Sequence, residues 1–269
     1  MIKEIHDEII KVIEKSFITI AREDYISYIL YIGRADVIPG LKGVVGTDCV
    51  IDYQLDRYYD KTREVFYLHY LKRNYSKDGF RYEGESGIDD LSIEMMIYSH
   101  LWDSHYFIKS LYRLASILDG KGYKWSPNVP KRGKFKFIME SVIKPLQEKQ
   151  IELGNLVAKA FDSNIRNAFA HSLYNVNVES RKIQTRTDLG VRTYTFEEFQ
   201  KRFLYSVILM NKLQNYLEEN HNEAAKANNA LTHGFFTPDG VKVQVYGEML
   251  HRNNQLYPEF RLVKIKAST

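Results

Sequence analysis

Residues 165–174 read IRNAFAHSLY: an Arg-Asn pair, three small or apolar residues, and a His closing a segment otherwise spaced for a helix. Upstream, Leu153, Leu156, Val157, Ala160, Phe161, Ile165, Ala168 and Phe169 recur at helical intervals, which predicts one helix from about residue 147 to 170. At about 100° per residue, with Ile165 at zero, Arg166 falls near 100°, Ala170 near 140°, Asn167 near 200° and His171 near 240°. The polar residues therefore occupy the face opposite the apolar stripe, with the smallest side chain between them. Arg166 and His171 are about 140° apart, too far to grip one small group along an ideal helix. Two solutions are open. Either the helix bends near His171, or a two-fold axis beside Ala170 brings two copies of each residue into one groove.

The residue types point to a chemistry. Histidine ordinarily titrates near neutrality and so moves protons readily. Arginine stays charged, and its planar fork matches a phosphate. RNA carries its own nucleophile, the ribose 2′-hydroxyl, so an Arg/His pair can cleave it without a protein nucleophile or a metal. Proton transfer and stabilisation of the phosphorane charge suffice. The competing reading is structural: Arg166 pairs with a nearby carboxylate such as Asp162, and His171 merely terminates the helix.

After the motif the period changes. YNVNVESRKIQTRTD (174–188) alternates along Tyr174, Val176 and Val178, turns near Glu179 and Ser180, and continues as a second extended run. Thr195 and Glu198 then have the spacing of a capping box opening an amphipathic helix through Phe199, Phe203, Val207, Met210, Leu213 and Leu217. That helix is expected to fade in the polar tract from Glu218. Before the motif, Ile93, Ile97, Leu101, Ile108, Leu111, Ala115 and Leu118 form one stripe from Asp89 to Leu118, capped by Asp89 or Asp90. A helix from about 135 to 146 carries Pro145 as a kink or a restart.

This arrangement resembles the HEPN superfamily, which is marked by Arg, a polar residue, and His after four to six intervening positions. Arg166, Asn167 and His171 fit its four-residue version, and the short β-excursion and capped helix after the His are similar to its surroundings. The resemblance covers roughly residues 88–220. It implies a mainly α fold: a HEPN-like helical bundle, a β-hairpin excursion after the motif helix, and here a short β-rich C-terminal tail. It further implies frequent dimerisation and metal-independent endoribonuclease activity leaving a 2′,3′-cyclic phosphate, in toxin–antitoxin, phage-defence or RNA-processing roles. By resemblance Arg166, Asn167 and His171 are catalytic, and Asp103 matches an acidic residue that often supports the site, though it suits a buried or capping acid equally. Tyr174 follows His171 after two intervening residues, one more than the tyrosine of a toxin-type subgroup. Some members have lost catalysis, so the alternative is a non-catalytic module binding nucleotide, RNA or protein.

The rest of the chain sets bounds. Residues 1–87 are expected to form a helical extension, 88–222 the core and 223–269 the tail. The extension begins with a helix from residue 2 to about 31, followed by a loop over 33–46 with four glycines and a proline, and a helix-like segment from Val50 to Tyr75. A net charge of +4 tolerates a nucleic-acid partner. The loop 121–136 concentrates Lys131, Arg132 and Lys134 with Tyr123 and Trp125, a composition suited to RNA through charge and stacking. One cysteine in 269 residues rules out an internal disulfide and a cysteine zinc cage. His100, Asp103 and His105 resemble ligands, but two His five residues apart splay around a helix, so no metal and no cofactor is expected. No run reaches the ~18 apolar residues of a membrane span, and the cytoplasm is the expected compartment. The expected partners are RNA, a second copy of the chain, and an antitoxin or regulatory protein.

Overall fold

The computed structural model describes residues 1–40, 46–51, 58–75, 84–187, 190–227, 229–252 and 255–265. The chain is mainly helical, with small antiparallel sheets. In order come α1 (Ile2–Glu23), α2 (Tyr25–Ile32), β1 (Ala35–Val37), β2 (Cys49–Ile51), α3 (Tyr58–Asn74), α4 (Gly84–Leu101) and α5 (His105–Leu118). Then follow α6 (Lys134–Ile138), a π-helical turn (Met139–Ile143), α7 (Lys144–Glu148), α8 (Glu152–Ala160) and α9 (Ser163–Ala170). The meander β3 (Tyr174–Asn177), β4 (Lys182–Thr187) and β5 (Gly190–Thr195) leads into α10 (Phe196–Lys226), and β6 (Phe235–Phe236), β7 (Lys242–Arg252) and β8 (Gln255–Lys264) close the chain. Among the described residues no helix is long and apolar enough to cross a membrane.

Two compact units interleave along the sequence. The first holds Met1–Val12, Asp60–Ile108 and Val129–Lys212; the second holds Ile13–Tyr59, Lys109–Asn128 and Leu213–Thr269.

The expected long helices are interrupted. The stripe from Asp89 to Leu118 is two helices, α4 and α5, separated at Trp102–Ser104. Ser104 Oγ accepts the Phe107 N–H at 3.1 Å and restarts the helix. The spacing of seven from Leu101 to Ile108 is two helical turns, so the apolar register survives the break and hides it. Asp89 and Asp90 lie inside α4, which begins at Gly84, rather than capping it. The segment around Pro145 contains the π-helical turn: proline has no N–H to donate, and the wider turn before it absorbs the mismatch.

The predicted helix 147–170 is likewise three pieces. Gln150 (φ 57°) and extended Ile151 separate α7 from α8, and extended Phe161 (φ −96°, ψ 129°) and Asp162 separate α8 from α9. At the second break the Ala160 carbonyl would lack a helical partner. It accepts the Tyr98 hydroxyl at 2.9 Å and the Ser206 hydroxyl at 3.0 Å. The same Tyr98 oxygen accepts the Asp162 N–H at 2.7 Å, and Trp102 Nε1 donates to Ser206 Oγ at 3.0 Å. Tyr98, Trp102, Phe199, Phe203, Leu153 and Ile165 are buried around this knot, each side chain contributing roughly 1.5–3 kcal/mol by leaving water. Asp162 Oδ1 caps α9 through the Asn164 N–H at 2.8 Å.

The excursion is a three-stranded meander rather than a hairpin, because residues 190–195 also pair with β4, with Ile183 opposite Tyr194. The Thr195–Glu198 capping box forms in both directions, at 2.7 and 3.1 Å. Beyond it α10 runs on through the polar tract to Lys226, since His221 and Ala225 there are buried.

In the second unit Asp24 Oδ1 accepts the Ser27 N–H at 3.0 Å, ending the expected helix 2–31 early and starting α2. The glycine-rich segment is not all loop: Ala35–Val37 pairs antiparallel with Cys49–Ile51. Residues 41–45 of the expected loop and 52–57 of the helix-like segment lie outside the described residues. A Cβ on Gly33 would stand 2.6 Å from the side chains of Ile51 and Phe260, so this crossing needs glycine. Arg113 donates to the Ala35 carbonyl at 2.8 Å, and Lys109 and Arg113 both pair with Asp36. His221 stacks on Phe260 of β8, ring centroids 4.2 Å apart, and burial pushes its pKa from 6.5 down to about 4.

Two measurements follow. Tyr98→Phe removes one bond to Ala160 and strands the Asp162 N–H, an expected loss of about 1–3 kcal/mol by urea unfolding. An unchanged midpoint would mean that packing alone holds the break. For His221, protons bind the unfolded state more strongly, so its contribution is full above about pH 6.5 and falls as the pH drops towards 4. Between about pH 7 and pH 5 the wild type should lose about 2 kcal/mol more than His221→Gln. Equal losses in thermal melts would contradict this.

Candidate functional site

The motif helix α9 ends by reversing its chain. His171 leaves helical geometry at φ −109°, ψ 8°, and Ser172 enters the left-handed region at φ 55°. The Leu173 N–H bonds the Ala168 carbonyl at 2.7 Å and the Ser172 N–H bonds that of Phe169 at 3.1 Å, the paired bonds that close a Schellman turn. His171 lines the same cleft as Arg166 and Asn167 within one copy of the chain.

The cleft has a volume of about 700 Å³ and lies wholly in the first unit. Five cationic side chains line it: Lys131, Arg132, Lys134, Arg166 and Arg186. Gly133, at φ 76°, turns the basic loop into α6. Arg186 comes from β4, where Ile183 and Thr185 point inward and alternation turns Arg186 outward. Its N–H bonds the Leu173 carbonyl at 2.8 Å, tying the meander to the turn after His171. Trp102, Phe135, Phe161 and Leu173 supply an apolar portion of the lining.

Asp103 organises two of the cations. Freed by the break between α4 and α5, its carboxylate pairs with Arg166 Nη2 and, at 3.3 Å, with Lys134 Nζ. Lys134 also donates to the Asp103 carbonyl at 2.7 Å. The other end of the guanidinium, Nη1, donates to Asn167 Oδ1 at 2.8 Å. Partial burial pushes the Asp103 carboxyl up, but the Arg166 bond and charge, with Lys134, outweigh it and hold it below the usual carboxylate range. Among the described residues no carboxylate lies within ion-pair reach of Lys131, Arg132 or Arg186, so the cleft stays positive overall.

Arg166 therefore does not pair with Asp162, which caps α9 and accepts the Tyr194 hydroxyl at 3.1 Å. Tyr174 is not brought to the cleft; it stacks on Phe169 with centroids 5.5 Å apart. The basic loop divides. Its aromatic end belongs to the second unit, where Tyr123 donates to the Ala35 carbonyl at 2.5 Å and Trp125 lies 6.5 Å from Phe235. Only its basic end, Lys131 to Lys134, reaches the cleft. Among the described residues no three His, Cys, Asp or Glu side chains come together as a metal would require. Arg186, Phe135 and Leu173 escaped the sequence reading. Alternation hinted at Arg186, but strand register decides where it points.

A serine in the left-handed region is strained, and glycine there is not. Ser172→Gly, which leaves every cleft side chain in place, should stabilise the protein by about 0.5–1 kcal/mol in thermal or urea unfolding. A loss of stability would mean that the serine side chain itself holds the turn. No protein-family model, curated protein or solved structure matches the chain.

Proposed function

We propose that the chain is a metal-independent endoribonuclease of the HEPN type, acting at Arg166, Asn167 and His171. The observation that carries this reading is their convergence on one positively charged cleft. The 2′-oxygen of a ribose attacks the adjacent phosphorus, and the bond from phosphorus to the 5′-oxygen breaks. The products are a 2′,3′-cyclic phosphate and a free 5′-hydroxyl. His171 takes the proton from the 2′-hydroxyl. Arg166, held at one end by Asn167 and at the other by Asp103, meets the charge that builds on the phosphorane oxygens. The departing 5′-oxygen takes a proton from water, or from an imidazolium where a second copy completes the site. Homodimerisation and control by an antitoxin or regulatory partner belong to the same proposal.

The test is purified protein incubated with total cellular RNA in EDTA, wild type beside His171→Ala and Arg166→Gln. The wild type is expected to yield fragments with cyclic phosphate ends, and His171→Ala to cut at least about 100-fold more slowly with an unchanged circular dichroism spectrum. Equal cleavage by wild type and His171→Ala would remove the assignment. Absence of cleavage together with salt-sensitive RNA binding that depends on Arg166 would make the chain a binding module instead.

A further inference from the structure

Phe135 is the first aromatic residue of α6 and keeps 43% of its surface exposed. Its ring is not loose. It stacks on Phe161, centroids 5.9 Å apart and 29° between planes. Phe161 in turn packs on Trp102 at 4.7 Å, and Trp102 is buried and pinned through its N–H to Ser206. The three rings form a ladder, its lower pair tilted by 57° and its upper pair stacked, anchored in the core of the first unit and ending in the cleft. All three line it, together with the five cations and the half-exposed Leu173.

We infer that Phe135 is a stacking platform for an unpaired nucleobase next to the phosphate held by the cleft, so that the occupant is a single strand. This deepens the ribonuclease reading and rests on it for the class of ligand. An aromatic face beside several cations suits a nucleotide: the backbone phosphates meet the lysines and arginines, and the base lays its flat face on the ring. The cleft volume of about 700 Å³ falls in the range of small-molecule pockets and has room for a nucleotide. In a duplex each base face is covered by its neighbours, so a paired strand could offer phosphates but no face for Phe135. Because every base has such a face, the platform selects for strandedness rather than for sequence. The ladder also fixes the ring before the strand arrives, which limits the side-chain entropy lost on binding.

The experiment measures binding without cleavage, by fluorescence anisotropy of a labelled 2′-fluoro oligoribonucleotide, which lacks the attacking hydroxyl. The probes are the single strand, the same sequence as a duplex, and the single strand made wholly abasic. Wild type, Phe135→Ala and Phe135→Trp are compared, with circular dichroism confirming that each is folded. Stacking is worth about 1–3 kcal/mol per base, so Phe135→Ala should weaken single-strand binding roughly 5- to 150-fold while Phe135→Trp retains it. Duplex and abasic binding should not respond to either change, and the dependence of affinity on salt should stay the same, since no phosphate contact is removed.

Single-strand affinity unchanged in Phe135→Ala would overturn the platform, as would an equal loss with the abasic strand. The two readings fail separately. Cleavage that depends on His171 but binding that ignores Phe135 removes only the platform. Binding that depends on Phe135 without cleavage of any RNA removes only the nuclease. A folded wild type that binds no strand removes both.

Discussion

The phenol of Tyr98 donates to one backbone carbonyl and accepts from a backbone N–H two residues further on, and the motif helix depends on that pair of bonds. A helix interrupted inside a core leaves polar backbone groups that water cannot reach, each costing on the order of 1–3 kcal/mol if orphaned. Here the tyrosine of α4 and the serine of α10 satisfy them, and Trp102 holds the serine. The break can therefore persist. It sets α9 on a new axis and leaves Phe161 extended, which makes that ring the middle rung beneath Phe135. One buried hydroxyl thus supports both the helix that carries Arg166, Asn167 and His171 and the aromatic wall beside them.

The electrostatics of the cleft follow from a second interruption. Had α4 and α5 been continuous, Asp103 would be one more residue on a helix. In the break it reaches Arg166 and Lys134 together, and the guanidinium is clamped from both ends by Asp103 and Asn167. A clamped arginine loses little conformational entropy when it meets an anion. The clamp has a cost, because a phosphate approaching Arg166 shares it with a carboxylate already in place. Lys131, Arg132 and Arg186 carry no such carboxylate among the described residues, and they give the cleft its excess positive charge.

The second unit uses the same physics for a different end. Gly33, Ile51 and Phe260 meet where no Cβ fits, and His221 lies neutral against Phe260. Tyr123, whose composition suggested RNA contact, instead satisfies the Ala35 carbonyl, and Arg113 lies over its ring. An aromatic residue in a basic loop is equally suited to a ligand or to a neighbouring backbone. Only the contacts distinguish the two.

By itself the sequence determined the helical character of the chain, the capping box at Thr195, the alternation of the strands after the motif and the opposition of Arg166, Asn167 and His171 to the apolar stripe. These are local consequences of periodicity and side-chain chemistry, and each can be read within a few turns of chain. The tertiary structure decided where helices stop. Apolar spacing passes unchanged through the breaks at 102–104 and 161–162, because a gap of whole helical turns keeps the stripe in register, and the hydroxyls that compensate the second break come from residues 62 and 46 positions away. It also decided what Arg166 touches: Asp103, 63 residues distant, rather than the Asp162 one turn away. The partners of a charged side chain are set by which surfaces burial brings together, and no window of sequence contains that information.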